Sequence, residues 1–425
     1  MASLLENIIN DKLYLTISHR ISPKQHGFIA GRSVSTNLLQ LSDLVTTAIG
    51  QNLQVDALYL DLAKAFDTVD HALLLDKLIT FGVNGSLLRW FASYLSERNL
   101  SVNINGFQSE SFIASSGVAQ GSRLGSLLFA VFINDLVEVV QYSNIELFAD
   151  DCRISKLVGC PQDAHDLQRD LDMVTDWIRN NRLFLNLSKC QKITFARSDR
   201  TLPTCYYIDR KPIQEVNCIR DLGVLLDNNW SFHSHMQHVL SKSSRTLGFI
   251  KRLTAKFTSL DTVVYLFKAL VLPTLTYSSI IWSPYSQNKF DDLNNVIRKF
   301  LRYASLKTTN PMLFYDHDYS DISQLCQIYM IESLHEYRDL CFVSEYIRGK
   351  LMSESLDCNF VERNLTYNLR FSRQFLEHTH KNNYIYYAPI FRIIRCWNML
   401  AGPIRNHLLD SGSRELLKKE VLKLF

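Results

Sequence analysis

No CxxC pair occurs among the nine cysteines, which stand singly at Cys152, Cys160, Cys190, Cys205, Cys218, Cys326, Cys341, Cys358 and Cys396. That absence argues against a zinc ribbon and a disulfide framework. It fits a reducing, intracellular compartment, with nucleus and cytoplasm both open. The first twenty residues lack a basic stretch followed by an apolar block, so no secretory signal is legible. No apolar run is long enough to span a bilayer. The most apolar stretch, residues 265–282, is interrupted by Lys268, Pro273 and several hydroxyls, and no membrane contact is expected. Internal repeats, low-complexity tracts and a clear linker are missing as well, which argues against solenoids and strings of tethered modules.

What is present suits a large core. Hydrophobic residues make up 47% of the 425 and charged residues 21%, enough for two or three domains and too apolar for global disorder. The net charge of +4 is unevenly spread. Residues 231–300 hold nine bases and three acids, a local +6, whereas residues 1–230 sum to −4 and residues 301–425 to +2. A basic middle beside an acid-bearing front suits a protein that holds metal in one part and phosphate backbone in another; the same bases also suit a solvated helical face.

The hydrophobic periodicity predicts an α+β chain. Residues 55–61 read as a buried strand ending at Asp61. Phe66, Val69, Leu73, Leu74 and Leu78 then follow helical spacing, and Gly82 ends that helix. Short strands flank the turn Asn105-Gly106. A glycine-rich loop, residues 117–121, opens a helix through Leu127 and Val131. Residues 145–156 read as a hairpin whose tip is Ala149-Asp150-Asp151. A helix from about residue 163 to 180 and a strand at 192–196 come next, and from about residue 231 the pattern is mostly helical.

Asp61 therefore sits at a strand end, and Asp150 and Asp151 at a hairpin tip. If those strands are neighbours, three carboxylates converge. Carboxylate oxygens suit Mg²⁺, and two such ions can clamp the attacking and leaving oxygens of a phosphoryl transfer. An acidic pair alone means little: Asp291-Asp292 precedes Leu293, Val296, Ile297 and Phe300 at helical spacing and reads as helix N-terminal charge. Asp67 and Asp70 likewise read as helix caps. His233, His235 and His238 lack an evident fourth ligand and read as structural. Trp397, with Ile390, Ile393, Ile394 and Leu400, reads as a packed helix face.

A series of segments, in order, resembles the motifs of non-LTR (LINE-type, jockey-like) retrotransposon reverse transcriptases. QHGFIAGRSVSTNLL (25–39) is similar to a fingers motif, YLDLAKAFDTVDH (59–71) to motif A, and SSGVAQGSRLGSLLFAVFINDL (115–136) to motif B. LFADD (147–151) is similar to motif C, LFLNLSKCQKITF (183–195) to motif D, and DLGVLLDNNWSFHSHM (221–236) to motif E entering the thumb. NNYIYYAPIFRIIRCWNML (382–400) resembles the C-terminal segment of jockey-like elements. The resemblance implies an RNA-directed DNA polymerase that adds deoxynucleotides to a primer 3′-hydroxyl by two-metal catalysis, with RNA template, DNA primer and dNTPs as partners. It implies two Mg²⁺ ions, which Mn²⁺ can replace.

The resemblance also assigns roles. Asp61, Asp150 and Asp151 become the metal-binding catalytic acids, and Lys189 a proton donor to pyrophosphate. Arg32 becomes a triphosphate contact. Phe66 becomes the ring that excludes a ribose 2′-hydroxyl, and Gln120 and Gly121 the loop against the incoming nucleotide. Leu222 and Gly223 become the primer grip. Lys251, Arg252 and Lys256 are expected to track the duplex backbone. The architecture implied is a right-hand α+β polymerase: partial fingers and a palm with antiparallel sheet within 1–227, a helical thumb at 228–305, and a helical C-terminal region of unknown role at 306–425. Fingers segments are expected at 1–55 and 76–110, and palm segments at 56–75 and 111–227.

The departures are specific. Ala119 stands where proline is common, Arg123 where small or apolar residues are, Ile29 where a base is frequent and Asp221 where an aromatic is usual. The family's first fingers motif would lie upstream of Leu4, and neither the endonuclease nor a CCHC knuckle is found, so an N-terminally truncated copy is expected. Three rivals stand beside the polymerase: an inactive nucleic-acid-binding remnant, an RNA-dependent RNA polymerase, which Phe66 argues against, and an unrelated two-carboxylate hydrolase, which leaves the flanking motifs unexplained.

Overall fold

The computed structural model describes residues 2–96, 98–197, 201–308, 319–361, 375–377, 383–400 and 405. The chain divides into two compact units. One comprises residues 1–37 and 51–217, the other residues 38–50 and 218–425.

In the first unit the apolar run after Gln54 forms the central strand Gln54–Leu60 of a five-stranded sheet. Asp151–Val158 flanks it on one side, with Asn144–Phe148 beyond; Gln191–Phe195 flanks it on the other, with Gln214–Glu215 at that edge. Every pairing is antiparallel except the edge pair Gln214–Glu215 on Gln191–Phe195. The register sets Leu58 opposite Ile154 and Lys192, and Ile154 opposite Ile145. Directly paired residues share a face, so these apolar side chains form one floor.

Over that floor lie the helices Arg123–Ile133 and Pro161–Asn180, whose Leu128, Phe132, Leu171 and Val174 join the same buried cluster as Leu58, Leu60 and Ile154. Each such side chain contributes about 1.5–3 kcal/mol by leaving water. Two polar groups interrupt the floor: Lys192, whose Nζ donates to the Thr204 carbonyl at 2.7 Å, and Asp56. Asp56 is fully buried in the central strand and accepts hydrogen bonds from Gln54, Thr194, Thr204 and Tyr206. A buried carboxylate is tolerated only when its lone pairs are met, and these bonds tie residues 204–206 to the sheet.

The class is α+β, as the periodicity leads one to expect. One element differs. The helical spacing from Phe66 to Leu78 is split into Ala65–Thr68 and His71–Thr80. Asp70 is extended and accepts from the Leu73 amide at 3.0 Å. An aspartate in that position caps a new helix better than it continues an old one.

The second unit begins with the hairpin Cys218–Asp221 and Val224–Asp227. Helices follow, among them His233–Leu253, Leu260–Leu270, Gln287–Ser305, Ile331–Ile347 and Pro389–Met399. Phe267 stacks on Phe300 with centroids 3.9 Å apart. On Pro389–Met399 the buried residues are Pro389, Ile390, Ile393, Ile394 and Trp397, the face the sequence spacing indicates. Arg392 on the same helix donates from Nε to Asp339 Oδ2 at 2.8 Å and from Nη2 to the Ile280 carbonyl at 2.6 Å. His335 bridges Ser283 Oγ at 2.8 Å and the Leu275 carbonyl at 3.0 Å, and burial pushes its pKa down to about 3. It is a neutral core histidine.

The Arg392–Asp339 pair gives a stability prediction. Asp339→Ala strands a buried guanidinium, at a cost of about 3–5 kcal/mol. Asp339→Asn keeps an acceptor and costs less. Urea midpoints at unchanged m-value measure both.

Candidate active site

Where the central strand stops, the backbone is held by a tight turn from residues 184–190. Asp61 accepts from the Asn186 amide at 2.8 Å, and the Ala63 amide donates to the Phe184 carbonyl at 2.8 Å. Leu62 bridges Leu185 between them. The same turn carries Lys189, whose Nζ is 3.5 Å from Asp61 Oδ2, with both side chains partly in solvent.

On the neighbouring strands, the hairpin Asn144–Phe148 and Asp151–Val158 turns through Ala149 and Asp150. Ala149 is left-handed, φ +57°. Burial raises the Asp150 carboxyl above its usual range, and the charge of Asp61 raises it further. The two carboxylates are thus close enough to repel each other in a half-desolvated place, an arrangement that gains from a divalent cation.

Asp151 is exposed at the start of the returning strand. Among the described residues no group of three or more His, Cys, Asp and Glu side chains is placed to hold a metal ion. The electrostatic contact is between Asp61 and Asp150, and Asp151 follows at the first position of the strand Asp151–Val158. Of the three histidines at 233, 235 and 238, His235 is the buried one. His235 accepts from the Leu225 amide at 3.2 Å through Nδ1, lies edge-on to Trp282, and has its pKa lowered to about 4 by burial.

Residues 22–33 fasten the hairpin tip. Gln25 Oε1 accepts from the Gly27 amide at 2.8 Å and the Ala149 amide at 3.0 Å. His26 N donates to the Leu147 carbonyl at 2.8 Å, and Leu147 N to the Lys24 carbonyl at 2.9 Å. A Cβ on Gly27 would overlap the backbone of Phe148 and Ala149, so only glycine lets the two segments approach this closely. Arg32 Nη1 donates to the carbonyls of Ser22 at 2.5 Å and Gln25 at 2.6 Å. The sequence offers Arg32 as a triphosphate contact; the structure instead engages it within its own loop.

Phe66 opens the short helix after Asp61. Its ring stacks on Phe129, centroids 4.3 Å apart, and meets Phe28 edge-on at 6.2 Å. The loop 116–118 braces this helix from the other side. Val118 N donates to the Phe66 carbonyl and Gly117 N to the Val69 carbonyl, both at 2.8 Å, and Ser116 Oγ donates to the Asp67 carbonyl at 2.8 Å. Gly117 has φ +89°, and a Cβ there would fall 2.8 Å from the Asp67 carbonyl oxygen. Gln120 and Gly121 are exposed beyond this brace. Ser122 then caps the helix Arg123–Ile133 by accepting from the Gly125 amide at 2.8 Å. Arg123, which departs from the family pattern, pairs with Asp11 at 3.5 Å on the surface.

The structure thus brings Asp61, Asp150 and Lys189 together in the first unit, with Phe66, Gln120 and Gly121 on elements of that same unit. Sequence reasoning missed Gln25, Gly27, Phe28, Gly117 and Phe129, which position these groups. The glycines inside the 25–39 and 115–136 segments are the signal that pointed to close backbone approach.

Leu222, Gly223, Lys251, Arg252 and Lys256 belong to the second unit. Leu222 and Gly223, with φ +45° and +89°, form the two central residues of a hairpin turn of the kind that requires two left-handed positions. Tyr277 Oη donates to the Leu222 carbonyl at 2.9 Å. Lys251 lies over the Tyr303 ring, and its pKa is lowered by partial burial and then by Lys299 and Arg302. Arg252 and Lys256 are exposed nearby at the end of His233–Leu253. These bases form a cluster of one sign.

Arg32→Ala removes two charge-assisted bonds to backbone carbonyls and should lower stability by about 2–4 kcal/mol, since each such bond is worth roughly 1.5–3 kcal/mol and they share one nitrogen. An exposed arginine with no structural task would cost under about 0.5 kcal/mol. Chemical denaturation separates the two results.

The chain matches the family described as reverse transcriptase (RNA-dependent DNA polymerase) over residues 2–249. It is 28% identical over 271 residues to the probable RNA-directed DNA polymerase from transposon X-element of Drosophila melanogaster, covering 62% of this chain and 30% of that protein. It is 25% identical over 318 residues to the RNA-directed DNA polymerase from mobile element jockey of Drosophila funebris, covering 72% and 34%. Among solved structures, apo telomerase from Candida tropicalis aligns with a TM-score of 0.41 at 11% identity, covering 84% of this chain and 59% of that one. The chain spans about a third of the length of the curated relatives it matches. The family match takes in more than half of the 425 residues, and the chain belongs to the reverse transcriptase (RNA-dependent DNA polymerase) family.

Proposed function

We propose that this chain is an RNA-directed DNA polymerase of a non-LTR retrotransposon, extending a DNA primer on an RNA template with dNTPs. The observation that carries the reading is the half-buried pair Asp61 and Asp150, held on adjacent strands beside Lys189. The names of the X-element and jockey proteins support it.

Asp61 and Asp150 would hold the metal, with Asp151 available at the rim. Two Mg²⁺ ions, or Mn²⁺ in their place, supply when bound the positive charge that stabilises the attacking and leaving oxygens of the transfer. The chain's own residues do the rest. The backbone clamps at 24–27 and 184–186 fix the two carboxylates before substrate arrives, so little reorganisation is left for the reaction. Lys189, exposed and next to Asp61, is the group placed to give a proton to departing pyrophosphate. Phe66 presents its ring edge to the sugar and disfavours a 2′-hydroxyl by clash. Gln120 and Gly121 line the approach of the incoming base. Leu222 and Gly223 would contact the primer strand, and Lys251, Arg252 and Lys256 the phosphate backbone, which carries no sequence information.

Asp61→Asn or Asp150→Asn should abolish nearly all primer extension on poly(rA)/oligo(dT), with primer–template affinity changed little. Retention of most of the wild-type rate in either variant would falsify the assignment. Phe66→Val should raise ribonucleotide use relative to deoxynucleotide by at least about tenfold, roughly 1.4 kcal/mol of lost discrimination. An unchanged ratio in the folded variant would make Phe66 a core residue only.

A further inference from the structure

Phe28 combines two unfavourable features. Its backbone is left-handed, φ +63°, which costs a bulky L-residue about 1–2 kcal/mol. The residue is also 53% exposed. Among the described residues, the ring it meets is Phe66, edge-on at 6.2 Å and 90°. Such a pair is worth roughly 0.5–1.5 kcal/mol, too little to offset strain and exposure together.

The surrounding loop imposes the position instead. On one side Gly27 lies against the hairpin tip and shares the Gln25 side chain with Ala149. On the other the Ala30 amide donates to Tyr14 Oη at 2.9 Å, and Arg32 closes the loop. Backbone strain that the surroundings over-determine in this way gathers at functional sites.

We propose that Phe28 is a positioning residue for sugar selection: with Phe129 against one face of Phe66, it clamps the Phe66 ring in a single orientation. The inference rests on Phe66 excluding the 2′-hydroxyl. A phenyl ring turns about two side-chain bonds, and a ring that can swing aside excludes nothing. Phe129 is fully buried and stacks at 4.3 Å, so it blocks one direction. Phe28 is perpendicular and blocks rotation out of the stack. The loop that carries Phe28 is the loop that fastens the Asp150 turn. The sugar-facing ring and the catalytic carboxylate are therefore set by one rigid segment, so the distance between the sugar and the reacting phosphate is held with them.

The test reads binding, so it does not depend on turnover. The complex of the chain with an RNA template and a dideoxy-terminated DNA primer is titrated with the matched dNTP and, in competition, the matched rNTP. The forms compared are wild type, Phe28→Ala, Phe28→Tyr, Phe66→Val and the Phe28→Ala/Phe66→Val double variant, each checked by thermal unfolding; Phe28→Leu replaces Phe28→Ala should the latter not fold. Phe28→Ala is expected to narrow the rNTP-to-dNTP Kd ratio by about tenfold. Phe28→Tyr, which keeps the ring, should keep the wild-type ratio. In the Phe66→Val background Phe28→Ala should add nothing, because a clamp without its ring has no function. If Phe66→Val narrows the ratio and Phe28→Ala does not, the clamp is wrong and the gate stands. If the two effects simply add, Phe28 acts on the nucleotide by itself and the clamp is again wrong. If Phe66→Val leaves the ratio unaltered, the gate reading fails and the clamp with it.

Discussion

Two carboxylates of like charge, close together and partly out of water, are the constraint around which the first unit is built. Asp61 and Asp150 raise each other's energy, and burial adds to it. Left to a flexible chain, such a pair would separate. Here it is kept by backbone. The Asn186 amide holds Asp61 by its own carbonyl, and the Lys24–Gly27 segment holds Leu147 and Ala149 on the far side. Neither clamp uses the carboxylates, and Asp61 has Lys189 Nζ at 3.5 Å.

The glycines follow from the same demand. Gly27 and Gly117 sit where two backbones meet more closely than a Cβ permits. Gly27 brings the fingers-type loop onto the tip that carries Asp150, and Gly117 brings the motif B loop onto the helix that carries Phe66. Two segments distant in sequence are thereby bolted to the one strand end that bears Asp61. The sheet floor beneath them is apolar except at Lys192 and Asp56, and two of the four bonds to Asp56 tie Thr204 and Tyr206 to the sheet.

The second unit is governed by packing of a different kind. Its core holds two polar sets: Arg392 with Asp339 and the Ile280 carbonyl, and His335 between Ser283 and Leu275. Of the bases the sequence singles out, Lys251 lies over the Tyr303 ring, and partial burial, then the charges of Lys299 and Arg302, lower its pKa, whereas Arg252 and Lys256 are exposed.

Much of this was legible from residue order alone. The apolar run ending at Asp61, the hairpin around Ala149 and Asp150, and the helical spacing after residue 231 each follow from periodicity, because burial of one face is a local pattern. The buried face of Pro389–Met399 was readable for the same reason. Other features were decided by which partners the folded backbone brings within reach. Arg32 looked like a phosphate ligand because a guanidinium suits anions, yet backbone carbonyls of Ser22 and Gln25 compete for it. Asp70 ended one helix and began another because it caps better than it continues. Phe28 carried no periodic signal at all; its role depends on where Phe66 and Phe129 arrive. Sequence determined which surfaces must leave water and which residue types could do the chemistry. Only the tertiary structure decided which of those side chains are engaged by their own fold, because that depends on where the folded backbone sets its carbonyls and amides, near or far in the chain.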